Sequence, residues 1–290
     1  TTFGSGNINF ELAEFENTDL LFESVDFGQG NVSFHSSTFN DLSLKSCHLD
    51  NYFDLRVAKC NHLDLSDTIV RDIIDLQPYK SEVKIQFFDI SGMRLIGRID
   101  VDWHANRVYS MIAGQEFTTY REKAEQFRTL KENYGNTGQY TYEDLAYIQF
   151  KRYEQKADLH DSLDRNRSSA IWQYPFYFLK SLLFDKMGLY ATSPVRVLLS
   201  LFIVYLTISM IYFVCPYIFE STYINCITEE MSFLDRLFTT LYYSLITFAT
   251  VGYGDCSPVG FLRFFAAIEG IIGVYMMSYF TVAFARKILR

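Results

Sequence analysis

The sequence predicts a membrane protein in three parts: a β-solenoid wound from a five-residue repeat, an α-helical hairpin, and two membrane-crossing helices that bracket a short re-entrant helix. Three observations carry this. Large apolar side chains recur every fifth residue from Phe10 to Val70. Two stretches near the C-terminus, 195–214 and 262–285, are long and almost free of charge. The charge also changes abruptly along the chain: residues 1–168 hold 27 acidic against 18 basic side chains, residues 169–290 only 7 against 8. A mean hydropathy of +0.02 over the 290 residues therefore describes neither half.

The repeat comes first. Phe10, Phe15, Leu20 and Val25 are five apart, as are Phe34, Phe39, Leu44 and Leu49, and then Leu55, Cys60, Leu65 and Val70, with breaks of nine and six between the series. The residue two before a centre is often small, as at Ala13, Thr18, Ser37, Cys47, Ala58 and Thr68. A period of five matches neither the ~3.6 of an α-helix nor the ~2 of a flat strand. It fits a coil of ~20 residues per turn whose large side chains fill the axis while polar ones face water. The two breaks leave the number of turns open. Residues 82–102 read as closing strands, so this part is expected over 1–110.

A helical hairpin is expected over 111–168. Residues 117–134 put Tyr120, Ala124, Phe127, Leu130 and Tyr134 on one face, and 142–164 do the same with Tyr142, Ala146, Phe150, Tyr153 and Ala157. The Gly-Asn-Thr-Gly-Gln run at 135–139 is turn chemistry between them. Residues 169–193 follow as an interfacial helix, with Lys180 and Lys186 toward headgroups and Phe176, Leu179, Leu183 and Met187 toward acyl chains. Trp172, Tyr174 and Tyr177 suit an aromatic belt. Such a helix either couples cytoplasmic movement to the pore or is a passive anchor.

Residues 194–290 read as the membrane part. Residues 195–214 carry Arg196 as their single charge, and twenty residues at ~1.5 Å each cover ~30 Å, the hydrocarbon thickness of a bilayer. Spans are expected at 194–216 and 262–286. Lys180, Lys186 and Arg196 flank the start of the first, and Arg286, Lys287 and Arg290 follow the second. The loop between them holds five carboxylates against Arg236. Positive charge stays inside, which puts both termini in the cytoplasm of a multi-pass protein of the cell membrane. No signal-peptide pattern opens the chain. Within the loop, 235–248 is too short to cross and suits a re-entrant helix, tolerated at membrane depth where protein or water covers its ends.

Behind that helix stand Thr250, Val251, Gly252, Tyr253, Gly254 and Asp255. The string resembles the potassium-channel signature, and span, short helix, signature and span together resemble a two-transmembrane potassium-channel pore. The second span, Ala-Ala-Ile-Glu-Gly-Ile-Ile-Gly at 266–273 closing on Phe-Ala-Arg at 284–286, is similar to the inner helix of bacterial inward-rectifier-like channels. The repeat resembles the right-handed pentapeptide-repeat solenoid. With the linker phrases at 127–138, 146–154 and 188–198, nearly the whole chain resembles pentapeptide-repeat-containing bacterial potassium channels, which implies the bacterial inner membrane.

That resemblance implies a fourfold homotetramer embedded in membrane lipids and conducting potassium passively, with no cofactor and no catalytic residue. The carbonyls of Thr250, Val251, Gly252 and Tyr253, with the Thr250 hydroxyl, would form the ion sites on a filter ending at Gly254, and the Val251 and Tyr253 side chains would wedge against the pore helix. Gly252 and Gly254 allow the unusual backbone angles this needs. Tyr242 and Tyr243 stand where many such channels carry tryptophans, and Ile246 where a glutamate often supports the filter. Asp255 therefore needs another partner, a tyrosine hydroxyl being one choice. Gly273, with Gly270 competing, is either a hinge or a close-packing glycine. Met277, Phe280 and Phe284 share its face as gate candidates or as packing residues. Glu269, a carboxylate inside a span, is expected to pair behind the pore helix. Cys215 and Cys226 are expected as two free thiols, a disulfide between them being the alternative, with Cys256 beside the filter.

Composition excludes some classes. An acidic chain without a basic face is a poor nucleic-acid binder, and five cysteines are too few for a disulfide framework. Two other readings stand beside the channel: a membrane-anchored scaffold whose acidic solenoid binds a partner, and an acidic DNA mimic, for which the spans leave little room. The solenoid is expected as a regulatory or assembly module that takes an unknown ligand or protein regulator.

Overall fold

The computed structural model describes residues 1–15, 18–78, 85–165, 170–219, 221–228 and 230–289. The chain forms two compact units, Thr1–Tyr177 and Phe178–Arg290.

The first unit begins as a β-solenoid of short parallel strands in three sheets. Ile8, Val32, Phe53, Ile74 and Ile99 stack in successive coils of one sheet, and Leu20, Leu42, Leu63 and Phe88 in another. The offset between coils is 21 residues from Val32 to Phe53 and from Phe53 to Ile74, and 25 from Ile74 to Ile99, so the expected twenty is short. The reason lies in the repeat itself. Phe34 and Leu55 open successive coils, each amide bonding the coil above it, and three steps of five plus the break of six make one full turn. The apparent break is thus a regular corner. The break of nine is the longer corner of the N-terminal coil.

Nine of the twelve repeat centres, Val25 to Val70, are buried, while Phe10, Phe15 and Leu20 in the first coil are half-buried. Phe10 stacks on Phe34 and Phe15 on Phe39, at 5.0 and 5.3 Å between ring centroids. Left-handed backbone at Ser36, Ser46 and Asp67 (φ 56°, 56° and 57°) turns three of the corners. Each is followed by one of the small residues singled out in the sequence, and Ser37, Cys47 and Thr68 are completely buried. Their side chains donate to corner carbonyls, Thr68 Oγ1 to Leu44 at 3.1 Å and Ser37 Oγ to Phe34. Small size and a hydrogen-bonding tip are both needed there. Burial pushes the Cys60 thiol up to about 12, so it is inert.

A solenoid's last coil exposes an unpaired strand edge. Here helices close it. α1 (Val108–Ala113), α2 (Tyr120–Asn136) and α3 (Tyr140–Arg165) follow the final strands. Asn133 on α2 accepts from the Ile99 amide at 2.9 Å and donates to its carbonyl at 2.8 Å, mimicking a further strand. Asn106 donates to Leu76 O at 2.8 Å and Gln115 to Phe88 O. Trp103, Phe127, Leu130, Tyr134 and Tyr153 join the same apolar core as the repeat centres. The hairpin expected as a separate module over 111–168 is therefore fused to the solenoid. Its first helix starts at Tyr120, not 117: Thr119 and Glu122 form a reciprocal capping box, and Phe117 is left 98% exposed. α4 (Ala170–Lys180) holds Pro175 and no buried residue, with Trp172 and Phe176 exposed.

In the second unit α5 (Pro194–Ile218) and α7 (Leu262–Ile288) are long and apolar enough to cross a membrane, and α6 (Phe233–Phe248) lies between them. Ser193 and Ser232 cap α5 and α6 by accepting from Arg196 N and Asp235 N; the latter cap starts α6 two residues before the expected 235. The interfacial helix does not persist over 169–193. Ser181–Lys186 is a π-helical turn, and Leu189, Tyr190 and Ala191 are all left-handed, at φ 49°, 56° and 62°. Such residues cost about 1–3 kcal/mol each unless their surroundings hold them. The Tyr279 hydroxyl does so, accepting from Ala191 N and donating to Phe184 O, both at 3.0 Å. Arg196 Nε and Ser200 Oγ bond the carbonyls of Lys186 and Met187.

Asp102 supplies a test of the hairpin–solenoid junction. Partial burial opposes its charge, but the Ala105 and His104 amides and the Tyr142 hydroxyl, at 2.7, 2.9 and 2.8 Å, outweigh it and hold the carboxyl below the ordinary range. A lowered folded pKa stabilises the fold above the unfolded value of about 3.9 and is lost as pH falls toward the folded one. Asp102→Asn should cost about 1–3 kcal/mol at pH 7 by urea unfolding followed through neighbouring Trp103. The gap from wild type should close only below about pH 4.

Candidate functional site

The last turn of α6 leads straight into the 250–255 segment, and its backbone is unusual. Thr250, Gly252 and Gly254 have φ of 56°, 55° and 80°, while Val251 and Tyr253 between them do not enter that region. In an ordinary strand successive carbonyls point to opposite sides. Alternating the handedness of successive residues turns the peptide planes so that the carbonyls line one side. The amides are used up on the other: Thr250 N donates to Thr247 O at 3.0 Å, and Val251 N and Gly252 N both donate to Ile246 O, at 2.9 and 3.2 Å. Among the described residues no donor reaches the carbonyls of Thr250, Val251, Gly252 or Tyr253. The C-terminal end of α6, with its partial negative charge, points into this segment. A row of free carbonyls beside a helix C-terminus suits a cation stripped of water.

Val251 is 51% and Tyr253 73% exposed. Within one chain neither side chain is buried against α6, whose packed face meets α5 and α7. Tyr242 donates to Asp255 Oδ2 at 2.9 Å across the outer end of the segment. Tyr243 is buried, edge-on to Tyr212 of α5 with ring centroids 5.2 Å apart. The two tyrosines thus face opposite ways.

The cysteines correct a sequence expectation. Cys226 is bonded to Cys256, which leaves Cys215 as a free thiol, buried in the cluster around Tyr212. An antiparallel bridge between Ile224 and Pro258 lies beside the pair, with Asn225 N bonding Ser257 O and Val259 N bonding Tyr223 O, both amides reaching across the loop. This ladder brings the two Cα atoms to 5.3 Å. Cys215 points from a helix face toward the interior and has no such approach. The disulfide fastens the chain one residue beyond Asp255 to the loop that follows α5.

Behind the segment, Glu269 on α7 is fully buried and pairs there. Its Oε2 accepts from Tyr212 Oη at 2.7 Å and its Oε1 from Ser244 Oγ at 2.5 Å. One turn further along both helices, Gly273 abuts the end of α6. A Cβ on Gly273 would lie 1.9 Å from Phe248 O, whereas one on Gly270 would meet open space. Gly273 is closely packed here, inside a helix unbroken from Leu262 to Ile288. The packed face of α7 is Glu269, Gly273, Met276, Tyr279 and Ala283. Met277 and Phe284 are exposed, and Phe280 stacks on Phe284 at 5.8 Å while touching the Tyr279 cluster. Along the face that Gly273, Met277, Phe280 and Phe284 share, Gly273 is buried while Met277 and Phe284 are exposed in the single chain.

Sequence reasoning missed Tyr212, Ser244 and Tyr279. The signal for the first two was available: a buried carboxylate needs donors, and these hydroxyls lie on the inward stripes of the neighbouring helices. Nothing in the sequence pairs Tyr279 with Phe184 and Ala191.

Residues 200–290 match a protein-family model described as an ion channel, which covers most of α5 and all of α6, the 250–255 segment and α7. Residues 200–290 are thus similar to an ion-channel domain. No curated protein and no solved structure matches the chain.

The two glycines of α7 separate packing from hinging. Ala is worth up to about 1 kcal/mol over Gly in a helix, so Gly270→Ala should leave the melting temperature in detergent unchanged or slightly raised. Gly273→Ala should lower it by several degrees, since the Phe248 carbonyl is backbone and has no rotamer with which to escape. Equal melting temperatures would contradict the close packing.

Proposed function

We propose that four copies of this chain form a potassium-selective channel that conducts passively. The observation that carries this reading is the alternating backbone of Thr250–Gly254, with its first three amides tied to α6 and the carbonyls of Thr250 to Tyr253 free, between two helices able to cross a membrane. One chain supplies one side of such a pathway; ions lose their water only inside closed rings of oxygens, and four copies about an axis close them. Carbonyls of Thr250, Val251, Gly252 and Tyr253 are the proposed ligands, with Gly254 ending the filter. Tyr242 and Asp255 brace its outer end, and Tyr243 the buried face of the pore helix. The exposure of Val251 and Tyr253 in a single chain leaves them available to neighbouring subunits.

Both termini face the cytoplasm in this reading, with the Cys226–Cys256 disulfide on the outer, oxidising side. The solenoid, of the pentapeptide-repeat type, is a regulatory or assembly module, and Met277, Phe280 and Phe284 are candidates for an inner constriction that closes by dewetting.

Purified protein in potassium-loaded vesicles should pass potassium far faster than sodium and be blocked by barium. Gly252→Ala, which forces an L side chain into φ 55°, should abolish selective flux while the tetramer survives on native gels. A folded tetramer with equal potassium and sodium fluxes, or with none, would overturn the reading. A membrane-anchored scaffold would be indifferent to the substitution.

A further inference from the structure

Glu269 does not touch the proposed filter, yet it is fully buried and engaged by both other helices of the pore unit. Among the described residues no basic side chain pairs with it. Its two oxygens are divided: Oε2 takes the hydroxyl of Tyr212 from α5, and Oε1 takes that of Ser244 from α6. Ser244 is itself completely buried and stands two residues before Ile246, whose carbonyl holds the amides of Val251 and Gly252. The next turn adds a second point of contact, where Gly273 lets the Phe248 carbonyl approach the α7 backbone. Two successive turns of α7 therefore hold the two turns of α6 that anchor the filter amides.

We propose that Glu269 is a positioning residue for ion conduction: by gripping Ser244 and Tyr212 together it sets the rotation and depth of α6, and through the Ile246 carbonyl it holds the filter backbone in its conducting form. A carboxylate accepts both hydroxyls at once. An apolar side chain of similar size would fill the space and leave both hydroxyls buried without partners. The residue that supports the filter thus sits on the second span, while the pore-helix position nearer the filter is apolar Ile246.

This inference rests on the channel reading, and its test separates the two. Potassium bound in the filter stabilises the conducting form by mass action, so loosening the grip should appear as a new dependence on potassium. Flux would be followed over time in vesicles at low and at high potassium for the wild type, Glu269→Ala, Glu269→Gln, Ser244→Ala and Tyr212→Phe. Glu269→Ala should lose flux about tenfold faster at low potassium, the factor expected for about 1.4 kcal/mol, and high potassium should restore it. Ser244→Ala should do the same in part, and Tyr212→Phe less, because the phenyl ring that remains still packs edge-on against Tyr243 of α6. Glu269→Gln, which can still accept from one hydroxyl and donate to the other, should stay close to wild type.

Folded Glu269→Ala and Ser244→Ala tetramers with the wild-type potassium dependence would overturn the proposal, even if they melt earlier. So would a Glu269→Ala chain that fails to assemble beside a Ser244→Ala channel that behaves as wild type. A wild type that passes no potassium would instead defeat the channel reading.

Discussion

Every backbone amide and carbonyl removed from water must find a partner, and the structure follows from how this chain meets that requirement and where it does not. The solenoid meets it between coils, by parallel pairing of very short strands. It then meets it at the one edge a solenoid cannot avoid, where the side-chain amides of Asn106, Gln115 and Asn133 stand in for a missing strand. The membrane helices meet it internally. The exception is the 250–254 segment, where the amides of Thr250, Val251 and Gly252 are paired and, among the described residues, the carbonyls of Thr250 to Tyr253 are not. A carbonyl row without partners is costly in a low-dielectric setting unless a cation or water supplies what is missing.

Holding such a segment requires the surrounding groups to over-determine it. Tyr242 braces Asp255 at the outer end, and the Cys226–Cys256 disulfide fastens the next residue to the loop after α5. Glu269 and Gly273 fix the helix behind it. The same pattern recurs elsewhere in the second unit, where three consecutive left-handed residues are held by the carbonyls of Asp185 and Phe184 and by the hydroxyl of Tyr279. In both places a tyrosine hydroxyl bonds across elements, an apolar ring filling space and a polar tip meeting one specific partner. This accounts for part of the 21 tyrosines in the composition.

The fold was legible where a physical period is written in the residues. Five-residue spacing selects a coil because its large side chains must share one axis, and every centre named from the sequence lies at or beside that axis. Two apolar stretches of membrane length became the two long helices. What escaped was mostly what interrupts a period. The break of six reads as an irregularity until the coils are stacked and it becomes a corner. The start of α2 depended on the Thr119–Glu122 box, a local signal that places the first helical residue at Tyr120 and not at Phe117. The turn that ends the helix expected over 169–193 involves Tyr279, 88 residues from its partner Ala191.

By itself, then, the sequence determined the coil, the two long helices, the short helix between them and the glycines that permit a left-handed backbone, because each is a local property of spacing, length or the lack of a Cβ. Only the tertiary structure decided which cysteines join, that Gly273 packs against Phe248, and that Glu269 holds Tyr212 and Ser244. Those outcomes depend on which faces of separate helices meet. Pairing across 25 to 88 residues is chosen by the geometry of approach, a property no single segment carries.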